Sequence, residues 1–250
     1  MHVENCFVGA QGIGETLERR LWRQGITRWD AFTPACEGIG DTRAERIESF
    51  IDEGRRALDR EEVRYFDRTF PDGARWRLYE TFRDQTCFFD IETTGLDRYR
   101  DAVTTVTLHQ DGDTRTLVRG DDLTDETLAA AFEDAGLLVT FNGASFDIPF
   151  LEASFDIDLD HPHLDLMPTC RKLGLSGGLS AVERDLGIER GLPDVDGREA
   201  VRLWHEHERG VDGALERLIA YNREDAVNME TVLEEVVDEL EAQVLPEQHQ

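Results

Sequence analysis

Apolar and polar positions along the second half of the chain fall into two kinds of block. TCFFDIE (86–92) is a short apolar run ending on two acids, the pattern of a buried strand. AVTTVTLHQ (102–110) and TRTLVRG (114–120) flank Asp111-Gly112, a pair that accepts positive φ and so predicts a tight hairpin. TDETLAAAFEDAG (124–136) has helical spacing, with Thr124 as N-cap and Gly136 as stop. LLVTFN (137–142) predicts an apolar strand leading into a helix over FDIPFLEASF (146–155). A short strand near His163–Leu166, helices near 179–187 and 197–209, and a long helix over about 213–240 complete the pattern. Three strands in hairpin order, then helix, strand and helices, predict an α/β fold: a mixed sheet with helices on its faces.

The last helix departs from its own pattern. Leu215, Leu218, Asn222, Asp225, Met229, Val232, Val236 and Leu240 form one stripe at steps of three and four, and only Asn222 and Asp225 are polar. An ionised Asp on a core-facing stripe is costly unless a cation or hydrogen bonds compensate it. Tyr221 lies one turn before Asp225, within reach of the same pocket.

Composition changes the picture through charge. The chain of 250 residues has 27 basic and 54 acidic side chains, a net charge of −27, and Lys172 is its one lysine. An acidic, lysine-poor protein of this haloarchaeal type suits a very salty cytoplasm, where charge keeps it dispersed and self-repulsion is screened; a GC-rich genome, which also favours arginine, is the alternative. Unfolding measured against KCl would test that expectation, and equal stability at low and molar salt would contradict it. Residues 1–85 carry a net −3 and residues 86–250 a net −24, which places a break near residue 85. An acidic protein is not assigned to nucleic acid by charge. In molar salt, however, counterion release adds little to affinity, and metal bridges, stacking and hydrogen bonds would do the binding.

No run of 18 apolar residues occurs, which argues against a membrane span, and the N-terminus lacks the basic and apolar regions of a secretory signal. Cys6, Cys36, Cys87 and Cys170 form no CxxC pair and read as free thiols in a reducing cytoplasm. Four sites offer carboxylates in apolar settings. Asp90 and Glu92, two apart on a strand, point to one face. Asp147 opens a helix after the small-residue turn Asn142-Gly143-Ala144-Ser145, and Asp225 comes from the last helix. Acids fill about one position in five, so acidity alone distinguishes nothing. Surface acids, however, do not follow Cys-Phe-Phe or interrupt a core stripe. Brought together, these carboxylates would repel unless divalent cations neutralised them, and an all-oxygen set suits Mg²⁺ or Mn²⁺ better than zinc.

FDIETTGL (89–96), FNGASFDIPFL (141–151) and YNREDAVNM (221–229) resemble, in order, the three motifs of the DnaQ-like, or DEDD, exonucleases of the ribonuclease-H-like fold. The resemblance spans about residues 86–240. Tyr221-x-x-x-Asp225 is the tyrosine version of the third motif, and HPHLDLMPTCRKLGLSGGLSAVERDLGI (161–188) is similar to stand-alone YprB-like proteins. The resemblance implies a five-stranded mixed sheet and a two-metal 3′–5′ exonuclease acting on DNA or RNA to release nucleoside 5′-monophosphates. It implies that Asp90, Glu92, Asp147 and Asp225 ligate two divalent ions and that Tyr221 orients the attacking water. It further implies that Thr93, Thr94 and Leu96 contact the 3′-terminal nucleotide, and that Asn142 and Phe146 line its pocket. The competing readings are a catalytically quiet nucleic-acid-binding or scaffold protein and a ribonuclease-H-type endonuclease. Asp165 reads as a helix cap or hydrogen-bonding group, with a fifth site acid as the alternative. His161 and His163 beside Pro162 read as surface loop, Trp204 as core, and Gly12-Ile13-Gly14 as no dinucleotide fingerprint.

GIGETLERRLW (12–22) and GIGDTRAERIESFI (38–51) share a Gly-x-Gly turn running into an amphipathic helix, with Ala44 and Ile47 of the second copy at packing positions. The pair resembles tandem helix–hairpin–helix units, whose turn amides contact phosphates; a small helical cap is the alternative. The expected organisation is a small helical region over 1–53, an arginine-rich helical connector over 54–85, the nuclease domain over 86–242 and a polar tail over 243–250.

Overall fold

A computed structural model describes residues 1–245, so most of the expected tail lies outside the described residues. The chain divides into two compact units: Met1–Arg83 together with the chain from Val236 on, and Asp84–Glu235. Among the described residues no helix is long and apolar enough to cross a membrane.

The second unit is built on strands β1 (Thr86–Thr93), β2 (Val103–Gln110), β3 (Asp113–Val118), β4 (Leu137–Thr140) and β5 (His163–Asp165), in the order β3-β2-β1-β4-β5. The β1–β2 and β2–β3 pairs are antiparallel, and β1–β4 and β4–β5 are parallel. This is the expected α/β, ribonuclease-H-like mixed five-stranded sheet. Asp111 and Gly112 both take positive φ, +49° and +77°, as a tight two-residue hairpin demands.

One face of the sheet is apolar. Cys87, Phe89 and Ile91 of β1 and Val106 and Leu108 of β2 pack with Leu128, Phe132, Phe150 and Leu151. The last four come from helices of this unit, which are numbered from α4 because three helices precede them. These are α4 (Asp125–Phe132) and α5 (Asp147–Ser154). Phe89 meets Phe132 edge-to-face, with ring centroids 5.1 Å apart. Thr124 caps α4 as expected, but α4 stops at Phe132, short of Gly136. The amide of Gly136 instead donates to the Gln85 carbonyl, because the chain must leave the helix to lay β4 beside β1.

Further helices are α6 (Leu166–Arg171), α7 (Leu179–Leu186), α8 (Gly197–Glu208) and α9 (Ala214–Val244). The helix α6 was not expected; its signals were the capping Asp165 and a proline in its first turn. Trp204 is buried in a small core with Leu203, Val195 and Leu218. The stripe of α9 is buried from Leu218 through Leu240, including Asn222 and Asp225.

The first unit holds α1 (Glu15–Arg23), α2 (Asp41–Leu58) and α3 (Val63–Thr69) around buried aromatic rings, among them Trp22, Trp29, Phe50 and Phe66. A buried ion pair, Arg77 to Glu18 at 2.7 Å, lies beside them, with the Arg77 guanidinium 5.7 Å from the Trp22 ring centroid, and Glu18 also accepts the amides of Phe7 and Val8. The two Gly-x-Gly turns match in geometry. Gly12 and Gly38 have φ of +82° and +79°, Ile13 and Ile39 are buried, and Gly14 and Gly40 are the extended residues before α1 and α2. The helix α2 runs unbroken across the residue 53/54 boundary drawn from the sequence.

Candidate metal centre

The strand β1 pairs with β4 only through Phe88, opposite Val139; β4 ends at Thr140 while β1 runs on to Thr93, which leaves a gap beside the C-terminal end of β1. Such a gap at the ends of parallel strands is where α/β sheets form ligand crevices. Ile91, beyond the last pair, donates its amide to Asp147 Oδ1 at 3.3 Å, which carries the first residue of α5 into the gap. At the same level the ladder with β2 shifts register between Glu92 and Thr93 and closes with the Thr93–Val103 pair.

Asp90 and Glu92 lie on the face of β1 opposite the apolar one, across from Thr107 and Thr105 of β2. The helix α9 supplies the remaining groups of that face. Asn222, fully buried, accepts the hydroxyls of Thr105 at 2.9 Å and Thr107 at 2.7 Å, and its amide donates to Asp90 Oδ2 at 2.7 Å. The polar breach in the apolar stripe thus locks Asp90 to β2. One oxygen each from Asp90, Glu92 and Asp225 lie within 4.8 Å of one another. Asp147 lies outside that three-residue set but lines the same cavity of about 620 Å³. Tyr221, Thr93, Thr94, Leu96, Asn142 and Phe146 line it too, so every residue singled out from the motifs faces one space.

Burial is the first cause of the perturbed carboxyls, and mutual repulsion follows. Asp90 and Glu92 are pushed well above the carboxylate range by burial and then by the charges of Asp225 and Asp147. Asp147 is pushed up to about 7 by burial, against the amides that it accepts. Burial raises Asp225 to about 6, and Arg190 and the Tyr221 hydroxyl hold it from rising further. Burial and the nearby acids raise the Tyr221 phenol, so it stays protonated and is a donor rather than a base. An oxygen-only set, crowded and short of positive charge, fits a hard divalent cation. Asp90, Glu92 and Asp225 would hold it, with Asp147 beside them.

Arg190 was not expected. Its nearly buried guanidinium bridges Asp225 and the fully buried Glu183, and lies 5.3 Å from the centroid of the Tyr221 ring. Glu183 also accepts from Asn228 of α9 at 2.9 Å, and Glu224 holds the amides of Gly191 and Leu192. The one sequence signal for Arg190 was a cation in an acidic stretch, without periodicity. Asp196, Arg198 and Val201 at the start of α8 also line the cavity and were missed. Asp165 is a structural group: its carboxylate accepts the amides of Asn142 at 2.8 Å, Ala144 at 3.2 Å and Met167 at 3.0 Å. It thereby fixes Asn142 at φ +69° and caps α6. His163 bonds Thr140 at 2.8 Å, and neither His163 nor His161 joins the acidic cluster.

The sheet order, the gap at β1 and the acids on both sides of it define a ribonuclease-H-like α/β protein. The chain belongs to the RNase H superfamily, whose family pattern matches residues 87–237. Two solved structures are similar at low identity. A family B DNA polymerase from the hyperthermophilic archaeon Pyrobaculum calidifontis is 16% identical, with a TM-score of 0.48 over 59% of this chain. The chain spans 24% of that polymerase's length. A structure described as the apo form of a nuclease is 19% identical, with a TM-score of 0.46, over 69% of this chain and 77% of that one. No match was found among curated proteins.

Proposed function

We propose that the protein is a metal-dependent 3′–5′ exonuclease of the DnaQ-like tyrosine type, similar to the YprB-like proteins, that releases nucleoside 5′-monophosphates from DNA or RNA. The observation that carries this reading is the trio Asp90, Glu92 and Asp225 on the wall of a cavity shared with Asp147 and Tyr221. The four carboxylates would hold two divalent ions, Mg²⁺ or Mn²⁺. When bound, such ions lower the pKa of water and stabilise charge developing on a phosphoryl group.

The chain's own groups supply position. Asn222 fixes the rotamer of Asp90 through Thr105 and Thr107. Arg190 and the Tyr221 hydroxyl fix that of Asp225, and Tyr221, whose one proton goes to Asp225, orients the attacking water by accepting a hydrogen bond from it on the phenol oxygen. Thr93, Thr94 and Leu96 on one wall and Asn142 and Phe146 on the other receive the terminal nucleotide. Arg198, exposed at the start of α8, supplies a cation for backbone phosphate. The acidic, lysine-poor composition adds to this reading a very salty cytoplasm as the place where the protein works.

The test is degradation of 5′-labelled single-stranded DNA and RNA in molar KCl, with Mn²⁺, Mg²⁺ or EDTA. A metal-dependent ladder that shortens from the 3′ end, and that a blocked 3′ end abolishes, is expected. Internal cutting of blocked strands would favour the endonuclease reading. Tight binding without cleavage under any metal would favour the scaffold reading.

A further inference from the structure

The loop between β1 and β2, residues 94–102, is closed by hydrogen bonds of its own. Thr94 and Ala102 exchange bonds, with the Thr94 amide donating to the Ala102 carbonyl at 2.9 Å and the Ala102 amide to Thr94 Oγ1 at 2.9 Å. Within that clasp the Asp97 amide donates to Asp101 Oδ2 at 2.8 Å and the Tyr99 amide to Asp97 Oδ1 at 3.0 Å. The loop presents the two most exposed large apolar side chains among the described residues, Leu96 at 87% and Tyr99 at 78%. Single exposed apolar residues are ordinary. Here, however, both edge a second depression of about 480 Å³, floored by Phe146 and Phe150, whose rings lie 5.4 Å apart. That depression shares Leu96 and Phe146 with the carboxylate cavity, so the two run together.

The charge around this surface is equally uneven. Residues 86–250 carry a net −24, so the long-range field repels a polyanion. Yet the tip of the loop reads Arg98-Tyr99-Arg100, with all three residues exposed and the Arg98 guanidinium 5.2 Å from the Tyr99 ring centroid. Aromatic faces interleaved with arginine are what a single strand uses for base stacking beside phosphate neutralisation, and stacking does not weaken with salt as counterion release does.

We propose that Tyr99, flanked by Arg98 and Arg100, is a stacking platform for the nucleobase that precedes the 3′-terminal one of a single strand. The proposal rests on the exonuclease reading for its direction, since the terminal nucleotide occupies the carboxylate cavity and the strand leaves over Leu96. A duplex end does not fit this arrangement, because its penultimate base is already stacked and paired. The protein therefore favours single-stranded or frayed 3′ ends.

Two readouts on the full chain test it. The first is binding of single-stranded DNA and RNA oligonucleotides with 2-aminopurine as the penultimate 3′ nucleotide, in EDTA and in Ca²⁺. Wild type is expected to quench the probe. Tyr99→Ala should lose the quench and raise Kd roughly 5- to 100-fold, while Tyr99→Trp keeps both. The second is hydrolysis in Mn²⁺ of the p-nitrophenyl ester of thymidine 5′-monophosphate, which fills only the terminal position. Tyr99→Ala should raise KM for the oligonucleotide at least five-fold more than KM for the ester. Equal effects on both substrates, or an unquenched wild type, would overturn the platform. Hydrolysis with Tyr99→Ala indistinguishable from wild type would sink the platform and leave the exonuclease standing. Tyr99-dependent quench with no hydrolysis would do the reverse.

Discussion

Replacing Asn222 by alanine tests the claim that a buried amide organises the acidic wall. The substitution removes two neutral hydroxyl bonds, at 2.9 and 2.7 Å, and one amide-to-carboxylate bond at 2.7 Å. Neutral bonds contribute about 1 kcal/mol each and bonds to a charged group about 1.5–3, which gives a loss of about 3–5 kcal/mol. Thr105 and Thr107 are fully buried and cannot turn to water. In wild type Thr116 donates to Thr107 at 2.9 Å, since Thr107's one proton goes to Asn222; in the variant Thr107 can donate to Thr116 instead, which places the loss toward the lower end of that range. Urea unfolding in EDTA at pH 8 measures the loss. Asn222→Asp is the companion variant: it keeps an acceptor for both threonines but sets another carboxylate beside Asp90. It should be strongly destabilised in EDTA at pH 8 and recover with Mn²⁺ or at lower pH. A loss under about 1 kcal/mol for Asn222→Ala, or an Asn222→Asp protein as stable as wild type in EDTA at pH 8, would refute the reasoning.

Three further outcomes are expected. Asp147 and Asp225 have folded-state pKa values of about 7 and about 6, above those of the unfolded chain near 4. Raised groups favour the fold fully below the unfolded value, and that contribution is lost as pH rises through 6 and 7. Metal-free protein should therefore melt lower at pH 8 than at pH 5, with Mn²⁺ closing the gap; a rising or flat profile in EDTA would contradict it. Arg190→Met leaves Glu183 buried without its cation and should cost on the order of 3–5 kcal/mol. Arg190→Lys keeps the charge but not the fork that spans Glu183 and Asp225, so its melting temperature should fall between the two; equality of Met and wild type would count against the bridge. Gly40 has φ −81° and open space where a Cβ would sit, so Gly40→Ala should fold as well as wild type. If the turn amides contact phosphate, that variant loses DNA affinity in an anisotropy titration, and unchanged binding removes the helix–hairpin–helix reading.

The fold of the second unit was legible because its elements follow simple periods. The strands β1 and β4 lie in short apolar runs, β2 and β3 flank a turn signal, and the Asp111-Gly112 hairpin follows from backbone sterics. The acidic wall was legible for a related reason: Asn222 and Asp225 interrupt an apolar stripe and Asp90 follows Cys-Phe-Phe, and such settings carry information that surface acids do not. What Asn222 does was not legible, since its partners on β2 are 115 and 117 residues away in sequence. Arg190 was hidden because a loop residue has no period, and its value lies in Glu183 and Asp225, which only the fold brings together. The end of α4 was misjudged because the amide of Gly136 is claimed by Gln85, a tertiary demand that outweighs local helix propensity. The role of Asp165 lay open between capping and catalysis until its three backbone donors were in place.

The most direct test of the metal centre is a titration with Mn²⁺ at pH 8, following free Mn²⁺ by its electron paramagnetic resonance signal, for wild type, Asp90→Asn and Glu92→Gln. Saturable binding by wild type is expected. It should weaken as pH falls below about 6, where protons compete for Asp225 and Asp147, and be lost or greatly weakened in both variants. Wild type that leaves all Mn²⁺ free, or variants that bind as tightly as wild type, would contradict the assignment of Asp90, Glu92 and Asp225 as the centre that holds the cations.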